Sequence, residues 1–367
     1  MSRVSIRPMW TIGQDDGEPL PERTVALLVG VAEHGSLSKA CQAMNVSYRH
    51  AWQLVRRGEA LLGAPLLRMA RGKGSALTPL ADKLVWADRR IAARLSPMLD
   101  TLASELRAEI DSVLSSARSP LRIHASHGFA IEALHDELGR AGVANELRYC
   151  GSGEAVASLS AGTCEVAGFH VPTGPLEIQA VAHYARWLQP ADHRLIAMAT
   201  RRVGLMVARG DPKKIYGIRD LAREDVRFIN RQSGSGTRFL LDLLLREHAI
   251  DPARVRGYEQ CELTHAAVAA YVASGMADVG LGVETPARQF HLDFLPLQSE
   301  RYFLLCRADA LERAPVAELL RILRGDAFKA MVNALPGYQA DATTGSVSDL
   351  PHAFPSFDWK AARPRGA

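Results

Sequence analysis

Three patterns of apolar and polar positions follow one another along the chain. From Arg23 to His34, the residues Val25, Ala26, Leu28, Val29, Val31 and Ala32 recur at helical spacing, and Gly35 ends the run. Ser36–Met44 predicts a second short helix with Ser36 as its N-cap, and Asn45-Val46 predicts the turn after it. Ser47 then caps a third helix to about Leu62, whose residues Ala51, Leu54, Val55, Gly58 and Leu62 share one face. Arg3–Ile12 alternates weakly and predicts a short strand. Leu67–Leu77 predicts a β-wing with its tip at Gly72/Gly74. The second pattern is one long helix over Thr78–Leu106, opened by Thr78-Pro79 and interrupted by Pro97. A solitary helix cannot bury that stripe, so a second copy is expected against it, with Leu84, Ile91 and Leu95 on the shared face.

The third pattern alternates strand and helix after a Ser- and Pro-rich linker at Ser112–Pro120. Strands are predicted at Leu121–Ala125, Glu146–Tyr149, Val166–Val171, Val203–Ala208, Val226–Asn230, Val279–Val283 and Tyr302–Cys306. This is the alternation of an α/β fold with ligand loops at strand C-termini. The predicted organisation is a helix-rich winged helix-turn-helix over residues 1–77 and a dimerisation helix with its linker over 78–120. A two-lobed α/β ligand domain follows over 121–345, and an irregular tail over 346–367. Lobe one is expected at 121–202 with 295–340, and lobe two at 203–294.

Composition refines this reading. No run of about 18 apolar residues exists, so no membrane span is expected. Met1–Gly17 lacks the apolar core of a signal peptide. The five cysteines are scattered and odd in number, which suits reduced thiols in a cytoplasmic protein and predicts no metal site. The net charge is +4, and residues 1–120 hold the whole excess, with 16 Lys+Arg against 12 Asp+Glu. Between Ser47 and Lys73 there are six basic residues and one acidic one, the local charge that nucleic acid attracts.

That basic stretch coincides with a motif. A helix-turn-helix needs a small residue in its first helix, a tight turn and a polar start to its second helix. Ala40, Asn45-Val46 and Ser47-Tyr48-Arg49-His50 supply these in order. Arg49, Gln53 and Arg56 fall opposite the apolar face, where Arg pairs with guanine edges and Gln with adenine edges. Ser47 and Arg57 are candidate phosphate contacts, and Arg68, Arg71 and Lys73 place more cations along the wing. The string GSLSKACQAMNVSYRHAWQLV, followed by LTPLADKLV, resembles the N-terminal domain of ModE-type and LysR-type regulators over about residues 3–110. Ser47–Trp52 is especially ModE-like, and RPMWTI matches the short strand of that domain. The resemblance implies double-stranded DNA as partner, assembly as a homodimer or homotetramer, and RNA polymerase as a further contact.

The second chemical signal is Arg231-Gln232-Ser233-Gly234-Ser235-Gly236-Thr237 before an apolar helix. A Gly-rich turn at a helix N-terminus points unpaired N–H groups and the positive dipole end at an anion. No Lys-Ser/Thr follows the glycines, so it is no P-loop, and G-x-S-x-G is absent. No nucleophile–base pair stands out, so no enzyme and no cofactor are expected. Arg-x-x-Gly-Ser-Gly-Thr resembles the ligand loop of periplasmic phosphate-binding proteins, and the wider block resembles the type-2 periplasmic-binding-protein fold, including molybdate and tungstate receptors. The resemblance implies ligand contacts at Arg231, Ser235, Gly236 and Thr237, with Ser126 and Ser152 from the opposite lobe; Ser233 and His127, in the same two loops, are further candidates. His170 and Tyr258, each after a predicted strand, join the candidates. Phosphate receptors carry an acidic residue near the third strand's end, whereas Val166-Ala167-Gly168-Phe169-His170 has none. The expected effector is therefore a molybdate- or tungstate-like oxyanion or a small carboxylate such as formate. Two other readings stand beside this ligand-responsive regulator: an oxyanion-handling protein or enzyme of molybdenum-cofactor metabolism, and an anion-transport receptor.

Overall fold

The computed structural model describes residues 4–13, 17–70, 74–114 and 120–360. It divides into two compact units, Arg7–Leu95 and Ser96–Ala367 with Met1–Ile6.

The first unit holds α1 (Glu22–His34), α2 (Leu37–Met44), α3 (Tyr48–Leu62), the hairpin β1 (Leu67–Ala70) and β2 (Gly74–Leu77), and the start of α4 (Pro79–Leu114). Left-handed residues close the three short helices: Gly35, Asn45 and Gly63 have φ of 75°, 51° and 66°. Ser36 Oγ accepts from Lys39 N at 3.3 Å, and Ser47 Oγ accepts from His50 N at 3.2 Å, so both expected N-caps are present. Leu28, Val31, Leu37, Ala40, Ala51 and Val55 form one buried cluster with Leu66 and Ala81. A Cβ on Gly58 would sit 2.9 Å from Leu66 Cδ1 and 3.1 Å from Leu20 Cδ1, so a larger residue there would displace those side chains. Ser75 Oγ accepts from Leu37 N at 2.7 Å and ties the hairpin to α2.

Three expectations change. Residues 4–13 form no strand; no ladder partner reaches them, and Trp10 and Ile12 pack instead against the helical core. Leu84 joins that same core, so it cannot serve a contact between copies. The long helix runs to Leu114, eight residues beyond its expected end, and its turns from Ser96 on belong to the second unit. Ser104 Oγ accepts from Leu147 N at 2.8 Å, and Thr101 Oγ1 accepts from Tyr149 N at 3.1 Å.

The second unit is α/β. Its first half runs β3 (Leu121–Ala125), α5 (Phe129–Arg140), β4 (Asn145–Tyr149), α6 (Ser152–Ser160), β5 (Val166–Pro172) and α7 (Glu177–Tyr184), then β6 (His193–Val207). The middle runs β7 (Phe228–Arg231), α8 (Gly236–Glu247), β8 (Cys261–Glu262), α9 (His265–Ala273), β9 (Val279–Val283), α10 (Glu284–Gln289) and β10 (Asp293–Arg307). The end holds α11 (Ala314–Arg324), α12 (Asp326–Asn333), β11 (Tyr338–Gln339), β12 (Val347–Ser348) and α13 (Leu350–Ala353).

One sheet has the order β4-β3-β5-β10-β6-β9-β7-β8. The antiparallel pair β6 and β10, 15 residues each, extends through both halves. Parallel β3, β4 and β5 lie on one side of that pair, and β9, β7 and β8 on the other. The expected lobes thus share two long strands, each starting earlier than its apolar pattern suggested. Arg194, Thr200, Arg201 and Arg202 break the apolar run in β6, while Gln298, Ser299, Glu300 and Arg301 break it in β10. The tail is more ordered than its composition implies: β12 pairs with β6, and Leu350 and Phe354 are buried.

Candidate functional site

In the first unit, α3 presents Tyr48, Arg49, His50, Gln53, Arg56 and Arg57 to solvent, opposite buried Ala51, Leu54, Val55 and Gly58. Tyr48 and Trp52 meet edge to face at 6.3 Å, and the Arg56 guanidinium lies 5.4 Å from the Trp52 ring centroid. Arg56 also reaches Glu59 at 3.3 Å, so part of its charge is already engaged. Ser47 caps the helix with its hydroxyl. Arg68 is exposed on β1; Arg71 and Lys73 lie outside the described residues. One helix face therefore offers exposed cations and an amide over an apolar underside, the arrangement that reads a major groove.

The second unit contains a cleft of about 720 Å³. The loop after β4 and the loop after β7 face each other across it. They approach so closely that a Cβ on Gly151 would stand 2.5 Å from Gly234 O. Ser126, His127, Ser152, His170, Arg231, Ser233, Ser235, Gly236 and Thr237 all line the cleft. Tyr258 does not: its hydroxyl donates to Asp242 at 2.6 Å and Arg238 stacks 3.7 Å from its ring centroid, which holds it away. Two further buried polar residues of the lining escape sequence reasoning, Arg201 on β6 and His265 at the start of α9. The doublet Arg201-Arg202 inside an otherwise apolar stretch was the available signal for the first.

The electrostatics follow from burial. Arg201 is 3% exposed and pairs with Glu300, which is equally hidden, at 2.8 Å. Arg231 is 5% exposed and meets only neutral acceptors, Gln232 Oε1 at 3.2 Å and Leu263 O at 2.9 Å. Burial and the nearby Arg201 charge bring its pKa down to about 9. His127 is pushed down to about 4 by burial and by the two guanidiniums, so its ring is neutral. His170 and His265 lie well below the ordinary imidazole range, for burial first and the same cations next. Ser126 Oγ and His170 Nδ1 are 3.0 Å apart, and Tyr302 stacks on the His170 ring at 3.9 Å. His170 Nε2 is buried without a hydrogen-bond partner among the described residues. Ser235 caps α8, accepting from Arg238 N at 3.1 Å, which leaves the first amides of that helix at the cleft. The cleft gathers guanidinium, hydroxyl, imidazole and amide groups, hydrogen-bond donors of the kind an anion accepts from.

Comparison with known proteins agrees with this division. A bacterial regulatory helix-turn-helix of the lysR family matches residues 23–82, and a PBP superfamily domain matches residues 134–324. The chain is 34% identical over 198 residues to the uncharacterized protein YvgK of Bacillus subtilis, covering 53% of this chain and 63% of YvgK. It is 32% identical over 102 residues to the molybdenum-pterin-binding protein MopB of Rhodobacter capsulatus, covering 27% of this chain and 38% of MopB. Among solved structures, full-length LysG from Corynebacterium glutamicum with bound effector Arg aligns at a TM-score of 0.40 and 18% identity, over 87% of this chain and 99% of LysG. Among the described residues, no helix is long and apolar enough to cross a membrane. The chain belongs to the PBP superfamily, and it joins that domain to an N-terminal helix-turn-helix of the lysR family.

Proposed function

We propose that this protein is a ligand-responsive transcription regulator that binds double-stranded DNA through α3 and its wing and senses a small anion in the cleft. The observation that carries the reading is Arg231, a buried guanidinium at a Gly-rich helix start that forms no ion pair among the described residues. A buried charge without a counterion is costly, and a bound anion removes that cost. The candidate effectors are a molybdate- or tungstate-like oxyanion and a small carboxylate such as formate. The working form is a homodimer or homotetramer assembled through α4 at Ile91 and Leu95, which are half-buried. Anion binding acts on DNA only so far as the two DNA-binding states hold the anion unequally. A thermal-shift screen of molybdate, tungstate, sulfate, phosphate and formate, paired with a DNA-shift assay, tests the reading. A binding anion raises the melting temperature and alters the DNA shift; an anion that binds without altering it removes the regulatory half.

A further inference from the structure

Three observations about the cleft bear on what kind of anion it holds, given that it holds one. The first is size. At roughly 30 Å³ per heavy atom, a five-atom oxyanion fills about 150 Å³, a fifth of the 720 Å³ cleft. The surplus does not come from parted loops, because the Gly151 and Gly234 loops already touch across the cleft. At the same packing, the remaining space takes roughly ten to twenty further heavy atoms.

The second is charge. Arg201 is matched by Glu300, so Arg231 is the buried cation left to neutralise, and the three imidazoles beside it are neutral. The one carboxylate on the described wall, Glu154, is exposed and paired with Arg148 at 3.1 Å. Arg186 is exposed and screened by solvent. The floor therefore matches one negative charge, and a dianion would leave a buried charge unmatched.

The third is the apolar share of the lining, Pro97, Met98, Leu102 and Trp187. Met98 and Leu102 are 58% and 46% exposed, large apolar side chains with little covering them.

We infer that the cleft takes an organic monocarboxylate, its single charge seated between Arg231 and the Gly-rich loop and its apolar body laid against Met98 and Leu102. This rests on the cleft being an anion site. The discriminating groups are then the apolar ones: Arg231 accepts any carboxylate, and the body selects among them.

Titration calorimetry on the full-length protein with formate, acetate, butyrate, hexanoate, hexanol and molybdate tests this. Each buried methylene is worth about 0.8 kcal/mol, close to a fourfold change in affinity. Hexanoate should therefore bind at least a hundredfold more tightly than acetate, and more tightly than molybdate. Neutral hexanol should fail to bind, and Arg231→Ala should abolish hexanoate binding. The double change Met98→Ser with Leu102→Ser should weaken hexanoate at least tenfold and leave formate unchanged. Equal affinity along the carboxylate series, or molybdate binding more tightly than hexanoate, overturns the inference while leaving the anion site standing. Failure of every anion to bind removes the anion site itself and this inference with it.

Discussion

The recognition helix and the cleft use the same cation in opposite ways. On α3, Arg49 and Arg57 stand in water, where a charge costs nothing to keep and waits for a partner that brings its own field. In the cleft, Arg201 and Arg231 are 3% and 5% exposed, where each charge must be matched by something held at fixed distance. Arg201 has its match in Glu300, and Arg231 does not. An exposed cation confers affinity that salt can tune. A buried one without a paired carboxylate carries its desolvation cost at a fixed place.

This contrast predicts its largest effect at Arg201. Arg201→Ala strands the Glu300 carboxylate, which accepts from that guanidinium at 2.9 Å and is 1% exposed. A loss of about 3–5 kcal/mol in unfolding free energy is expected. Arg49→Ala should change it by less than about 0.5 kcal/mol. Urea denaturation of both variants measures the difference, and equal midpoints would erase the distinction between the two kinds of cation.

Arg231→Ala comes next, and it should separate affinity from stability. Binding of the best anion should weaken by about 2–4 kcal/mol, the usual cost of truncating a buried charged partner. The anion-free protein should be no less stable, because the change removes an unmatched charge. Thermal scans with and without anion read both quantities. A variant that melts lower without anion would show that Arg231 already has its match inside the protein.

The two regions were also unequally legible in the sequence. The helix-turn-helix is local: its caps, turn and apolar face lie within residues 35–62, so spacing alone located every exposed candidate on α3. The Gly-rich loop is equally local, and Arg231 to Thr237 were found by the same means. Arg201 and Glu300 are 99 positions apart on two long strands, and no periodicity links them. His265 follows a capping threonine, and only the fold turns that helix start toward the cleft. Tyr258 failed for the complementary reason: its position after a predicted strand was right for a ligand residue, but Asp242 and Arg238 hold its ring. Segments that satisfy their own hydrogen bonds were readable; groups whose partners come from another strand or helix were not.

A smaller effect sharpens the exposed side of the comparison. Arg49→Ala and Gln53→Ala should each reduce preference for the operator over random DNA by about 1–3 kcal/mol, as expected for a lost base contact. Arg57→Ala should weaken all sequences alike and lower the salt slope by about 1. Fluorescence anisotropy at several salt concentrations separates the two behaviours. Identical losses on operator and random duplexes for all three variants would assign α3 to phosphate contact alone.

The smallest expected effect concerns the neutral histidines that share the cleft with the two guanidiniums. His127 is held near 4, whereas the unfolded chain protonates its histidines near 6.5. The unfolded state therefore binds more protons between those values, and stability must fall as pH drops below about 6.5 toward 4. His170 and His265 act in the same direction, and so does His193, held near 4 by its own burial and accepting from Gln189 N at 3.2 Å. Each contributes a slope of at most about 1.4 kcal/mol per pH unit. His127→Gln keeps a polar group and removes one titration, so its stability should vary less steeply than the parent's between pH 7.5 and 5.5. A bound anion offsets the repulsion from Arg231 and Arg201, so the parent's slope should also flatten when the cleft is filled. Urea midpoints over that range, with and without the best anion, measure both. A parent slope that His127→Gln and the anion leave unchanged would place the acid sensitivity outside the cleft.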